Sequence, residues 1–321
     1  MFMIYLYITL GLIVTFAIAV LVIRRYNQKN MKTESFEILL PEVLRMSYPF
    51  FDDYLNVLDK IYKYPTSHFV VNFRQVEMIT YPAYMILMAQ IEKVFCKGAY
   101  PSIKVNRRML DSLSKMEKIN YLSSHHVHLY KPAKVKEQFK NRCATLNPQF
   151  ISSVESDLKR INVCDYYDLN TLITELMGNA VEHGIKDHDI SWWLYHKYYS
   201  SGQKVNIVFL DMGNGILHSY KEAGLPEKYL YYNDESLLLA ALNGELGSST
   251  KMDGRGRGLP QIKNMVVKNQ ISDFILITNT VYLQYEDERF ITHRLQRCFY
   301  GTYYSFSVNR NNYLRWEQTK R

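Results

Sequence analysis

The chain has 321 residues, 47% hydrophobic and 22% charged, with no low-complexity tract, which excludes a disordered or fibrous class and leaves room for two domains. Cys96, Cys143, Cys164 and Cys298 are scattered without a CxxC pair, which excludes a zinc ribbon and a disulfide frame and points to reduced thiols. The net charge of +8 is spread along the sequence, whereas a nucleic-acid binder needs a clustered basic face interleaved with aromatics, so nucleic acid is not an expected partner.

Residues 2 to 23, "FMIYLYITLGLIVTFAIAVLVI", carry no charge, and about 20 apolar residues suffice to cross a bilayer as a helix. Arg24, Arg25, Lys29 and Lys32 follow at once, which sets the C-terminal flank in the cytoplasm. A cleaved signal peptide wants a basic segment before a shorter apolar stretch and a small-x-small cleavage site after it, and neither is evident. The reading is an uncleaved single-pass anchor over residues 1–24 in the cell membrane, with the later domains cytoplasmic.

From residue 34 to 130 strand and helix patterns alternate. "SFEILL", "HFVVNF" and "SIKVN" read as short apolar strands, and "DDYLNVLDKIYKY", "YMILMAQIEKVF" and "RMLDSLSKMEKINYL" as helices. Strand, crossover helix and strand predict a small α/β sheet with helices packed on it. The order and apolar pattern of "FVVNFRQVEMITYPAYMILMAQIEKVF" with "IKVNRRMLDSLSKMEKINYL" resemble the STAS domain of anti-anti-sigma factors. In regulatory STAS domains a serine at a helix N-terminus accepts phosphate. The matching positions here are Thr80, Tyr81, Pro82 and Ala83, with Pro82 where the acceptor serine stands and Thr80 or Tyr81 as the alternative acceptors, so the resemblance implies docking more than phosphorylation.

The stretch "LITELMGNAVEHGI", residues 172 to 185, carries Glu175, Asn179 and His183 at every fourth position. Each step advances about 40° around a helix, so the three form one narrow polar stripe. Leu172, Ile173, Leu176, Met177, Ala180 and Val181 fill the neighbouring arc and should face a core. Asp168 or Asn170 is the expected helix cap. Two strands follow, "SWWLYHKYY" and "KVNIVFLDMGNGI". The second ends in Asp211, Gly213 and Gly215, which puts a carboxylate and two side-chain-free residues at a strand end, where a ligand can approach the backbone.

In "LGSSTKMDGRGRGLPQIKNMV", Gly254, Gly256 and Gly258 alternate before a helix that begins near Leu259 and Pro260. Free N–H groups and the dipole of such a helix start make an anion site, and Lys251, Arg255 and Arg257 add positive charge. The pattern is neither a P-loop nor a Rossmann fingerprint.

Taken in order, Glu175-x3-Asn179-x3-His183, "DMGNG" and "GRGRGL" closely resemble the N, G1 and G2 boxes of the GHKL ATPases, which include histidine kinases, gyrase-type ATPases and anti-sigma-factor serine kinases. "ELMGNAVEHG" is most similar to the anti-sigma-factor kinases, and "FYGTYYSFSV" supplies a Gly301-Thr302 pair before a strand, similar to the last box. The resemblance covers residues 145 to 310 and implies a GHKL (Bergerat) α/β sandwich with helices on one face of a mixed sheet. It implies that Asn179 holds Mg²⁺ bridging the ATP phosphates and that Glu175 polarises the attacking water or hydroxyl. Asp211 would receive the adenine amino group, Gly213 and Gly215 shape the purine pocket, and Gly254, Gly256 and Gly258 form a lid. Lys251, Arg257 and Thr302 join the nucleotide site. His183 either contacts a phosphate or fixes the helix end.

A histidine kinase carries its acceptor in a motif like H-E-x-x-T/x-P on a dimerising helix, and His125, His126 and His128 lack that setting. The expected function is a membrane-anchored, ATP-binding regulatory protein, an Mg²⁺-dependent ATPase or protein kinase of the anti-sigma type. The alternative is an ATP-gated interaction switch without kinase activity. Either implies a regulatory protein partner of the STAS or sigma-factor-like kind and leaves a homodimer open.

Overall fold

The computed structural model describes residues 36–63, 68–96, 100–104, 122–123, 148–184, 192–247 and 258–320. The anchor expected over 2–23, nearly all of the helix expected over 108–122 and most of the glycine run, including Lys251, Gly254, Gly256 and Arg257, lie outside them. Among the described residues no helix is long and apolar enough to cross a membrane.

The first part is built from β1 (Phe36–Leu39), β2 (Val43–Leu44), α1 (Phe50–Lys63), β3 (His68–Asn72), β4 (Met78–Ile79), α2 (Tyr81–Cys96) and β5 (Tyr100–Lys104). β1, β3 and β5 lie side by side in that order and both pairings are parallel, with α1 and α2 as the crossovers. β2 and β4 form a separate parallel pair. Asp52 and Asp53 open α1 and Lys60 and Lys63 close it, each sign complementing the helix dipole.

The remainder comprises β6 (Leu122–Ser123), α3 (Pro148–Lys159), α4 (Tyr167–Gly184), β7 (Trp192–Tyr199), β8 (Lys204–Asp211), α5 (Ile216–Ala223), α6 (Asp234–Leu242), α7 (Gly258–Val267), β9 (Ser272–Glu286), β10 (Arg289–Asn309) and α8 (Arg310–Gln318). Its five-stranded sheet has the order β6-β7-β8-β10-β9. The sheet was expected to be mixed, yet every pairing in it is antiparallel. β7 and β8 are joined by a single 3-10 turn over Ser200–Gly202. β9 and β10 are joined by Asp287 and Glu288, both at positive φ, as a two-residue hairpin turn requires. The long excursion through α5, α6 and α7 returns the chain against β8 in the opposite direction as well.

Helices cover both faces of this sheet, where one covered face was expected. Val205, Ile207 and Phe209 of β8 share a core with Leu172, Ile173, Leu176 and Met177 of α4. Val208, Leu210 and Met212, the alternate positions, share a core with Phe51, Tyr54, Tyr84 and Met85 of the first part. A strand buried on both sides reads as an unbroken apolar run, and "IVFL" is one. Tyr81 stacks on Tyr195 with ring centres 4.2 Å apart, Phe51 meets Phe299 edge-on, and the Gln296 N–H donates to Asp52 Oδ1 at 2.9 Å.

On the opposite face α3 is tied to β7 through His196. Its Nδ1–H donates to Asp157 Oδ2 and its Nε2 faces Ser153 Oγ, both at 2.8 Å, so one buried imidazole bridges two positions a turn apart on the helix. Asp168 and Asn170 do not cap α4, because the helix starts earlier, at Tyr167. Asp168 instead accepts from the Trp316 indole, and the Asn170 amide donates to Glu155.

Candidate functional site

Two clusters carry the residues singled out by sequence. The first lies on α4. Leu169, Leu172, Ile173, Leu176, Met177 and Ala180 are buried, whereas Glu175 is half-buried and Asn179 exposed, so the polar stripe runs along the border of the core. Gly258, the first residue of α7, closes against that stripe. A Cβ built on it would lie 3.1 Å from Glu175 Oε2 and 3.7 Å from Asn179 Nδ2. Glycine at this position lets the start of α7 come this near without displacing the Glu175 carboxylate. Glu175 Oε2 is buried and has no hydrogen-bond partner among the described residues. Burial pushes the Glu175 carboxyl above its ordinary range, since desolvation disfavours the charged form. His183 belongs to α4, but its side chain lies outside the described residues.

The second cluster sits where β8 ends. Asp211 accepts from the Gly213 N–H through Oδ1 at 2.9 Å, which curls the chain over the end of the strand. Alternation along β8 puts Asp211 on the face that α4 covers, in step with Val205, Ile207 and Phe209. Thr302 is buried and stands opposite Asp211 on β10 and opposite Thr278 on β9, so three side chains line up across three strands. Gly301 and Thr302 lie inside β10, not before a strand as expected, at one of its register shifts. Gly301 has φ 144, and a Cβ there would fall 2.2 Å from the Asp211 carbonyl oxygen, so the two strands meet where only glycine fits.

Gly215 has φ 82 and turns the chain into α5. A Cβ on it would strike Asn279 Oδ1 at 2.5 Å. Asn279 is a residue the sequence did not flag. Its Oδ1 accepts from Leu217 N–H at 3.0 Å and its amide donates to the Asn214 carbonyl at 2.8 Å, while Thr278 Oγ1 accepts from Ile216 N–H at 2.9 Å. Side chains of β9 thus occupy donors at the start of α5 that a capping residue ordinarily takes. The available signal was a polar Thr-Asn-Thr interruption in an apolar strand.

Chemically, the first cluster offers a carboxylate of raised proton affinity and an amide beside a helix start. The second offers a fixed carboxylate that can accept from an exocyclic amine over a glycine floor. Among the described residues no group of three or more His, Cys, Asp or Glu could hold a metal ion. The sequence matches no protein-family model and no curated protein.

Proposed function

We propose that this chain is a membrane-anchored, ATP-binding regulatory protein of the GHKL superfamily, an Mg²⁺-dependent ATPase or protein kinase of the anti-sigma type, with a STAS-like module at its N-terminal side. The observation that carries the proposal is the approach of Gly258 to Glu175 and Asn179, three residues from two motifs far apart in sequence. The Asp211–Gly213–Thr302 arrangement supports it independently. The parallel β1-β3-β5 sheet with its two crossover helices supports the STAS-like reading.

On this reading the Asp211 carboxylate accepts from the adenine amino group, and Gly213 and Gly215 form the floor beneath the ring. Gly254, Gly256 and Gly258 close over the phosphates with Lys251 and Arg257, and His183 either contacts a phosphate or fixes the helix end. Mg²⁺ takes oxygen ligands and keeps several waters, so the Asn179 side-chain oxygen with phosphate oxygens suffices, and the exposed amide beside a carboxylate oxygen that has no partner among the described residues fits that need. When bound, the metal neutralises phosphate charge. Phosphoryl transfer asks the protein for positioning more than covalent chemistry. Glu175, with its raised proton affinity, orients and polarises the attacking water or partner hydroxyl.

Tyr81, at the helix start where a STAS domain would be phosphorylated, is buried against Tyr195. That favours a docking role for the module and a phosphoacceptor on a separate protein. The switch reading gains from the same docking, since the module grips the sheet that carries Asp211. Labelled ATP with a candidate STAS or sigma-factor-like partner separates the two, because a switch leaves no labelled protein. The direct test is calorimetry of the full chain in detergent with a non-hydrolysable ATP analogue. Binding should require Mg²⁺ and Asn179→Ala should abolish it, whereas unchanged Mg²⁺-dependent binding in the variant would sink the assignment.

A further inference from the structure

The N-terminal module reaches the candidate site from behind through two side chains. Lys93 of α2 donates from Nζ to the Met212 carbonyl oxygen at 2.8 Å, and Met212 is the buried residue between Asp211 and Gly213. The Lys93 ammonium also lies 5.6 Å from the centre of the Tyr62 ring on α1. Tyr62 stacks on Tyr300 with ring centres 4.1 Å apart and an interplanar angle of 16°. Tyr300 precedes Gly301, whose backbone presses on the Asp211 carbonyl. Two helices of one module thus hold two of the three strands that form the second cluster, β8 through Met212 just past its end and β10 through Tyr300.

We propose that Lys93 is a positioning residue for adenine recognition, tying the N-terminal module to the loop that presents Asp211. This rests on the nucleotide reading above. A peptide carbonyl held backwards by an ammonium group fixes the plane of the Met212–Gly213 peptide. That plane sets where the Gly213 N–H points, and the Gly213 N–H is what holds Asp211 Oδ1. A hydrogen bond with a charged donor is stronger and more directional than a neutral one. Without it the Met212–Gly213 peptide is less constrained and the hold of the Gly213 N–H on Asp211 Oδ1 weakens. The effect falls on the base-binding side of the nucleotide, leaving the Asn179 side alone.

The experiment measures binding of non-hydrolysable ATP and GTP analogues with Mg²⁺ to the full chain in detergent. Lys93→Met should weaken the ATP analogue by about tenfold, as expected when the Asp211 carboxylate no longer meets the adenine amine in good hydrogen-bond geometry, and should shrink the preference for adenine over guanine. Lys93→Arg, which keeps donors and charge, should restore most of both. A purely structural role would lower the melting temperature and weaken both nucleotides alike. Lys93→Gln, shorter and neutral, serves should the Met variant unfold. Wild-type affinity and base preference in either neutral variant overturn the proposal while leaving nucleotide binding intact. If instead the wild-type chain binds neither analogue, or Asp211→Asn binds like the wild type, the nucleotide reading fails and the role of Lys93 falls with it.

Discussion

Alanine at Gly301 tests the close approach of β10 to β8 beside the candidate site. A non-glycine residue held at its φ of 144 costs about 1–3 kcal/mol in backbone strain alone. The new Cβ would also sit 2.2 Å from the Asp211 carbonyl oxygen and 3.2 Å from Met212 Cα. Both neighbours are backbone, so the strands must part, and overpacking of that kind costs typically about 1–3 kcal/mol. The total is roughly 2–6 kcal/mol, which at about 2–4 °C per kcal/mol lowers the melting temperature by roughly 5–20 °C. Gly224→Ala is the control. Gly224 has φ 89, but a Cβ there meets nothing within 4 Å among the described residues, so it bears the strain without the clash. Thermal unfolding followed by circular dichroism compares the two variants with the wild type. If Gly301→Ala melted within about 2 °C of Gly224→Ala, the strand contact inferred at Asp211 would be wrong.

Gly178 lies within α4 and a Cβ there meets nothing within 4 Å among the described residues, so Gly178→Ala should stabilise by about 0.5–1 kcal/mol through helix propensity, readable as a higher midpoint in urea. Glu175→Gln should spare nucleotide binding and cut turnover, read as retained affinity with a lower kcat. The same variant should show a pH signature in the nucleotide-free protein. The folded-state pKa of Glu175 is raised, so ionisation costs stability as pH rises from the ordinary glutamate value through the folded value. Glu175→Gln should therefore melt higher than the wild type at neutral pH and lose that advantage at acid pH, and an equal advantage at both would show that burial of the charge is not the cause.

The stripe on α4 was legible because helical spacing turns a sequence interval into a face, and Glu175, Asn179 and the buried Leu172–Met177 arc fall as that geometry dictates. The place of Asp211 at a strand end was legible because the apolar run before it stops there, although "DMGNG" by itself also makes a good turn. The helix over Pro148–Lys159 went unread although Ile151, Val154 and Leu158 keep helical spacing. Asn279, Lys93 and Tyr62 were not legible. Asn279 acts across more than sixty residues from a left-handed position inside a strand, and nothing local marks that. Lys93 looks like any cation on an amphipathic helix until the fold brings Met212 beside it. The antiparallel sheet was missed because strand direction after a helical excursion is decided by tertiary packing, which a strand pattern does not record.

The sheet shared between the two halves fixes an order of events at the ribosome. The apolar surface of α1 and α2 finds its cover on strands that include Trp193, Val208, Ile277 and Tyr303. At a translation rate of about 5–20 residues per second, those partners emerge roughly 5–40 seconds after the helices that need them. During that interval this flank of the nascent chain lacks its native cover, which is where aggregation competes with folding.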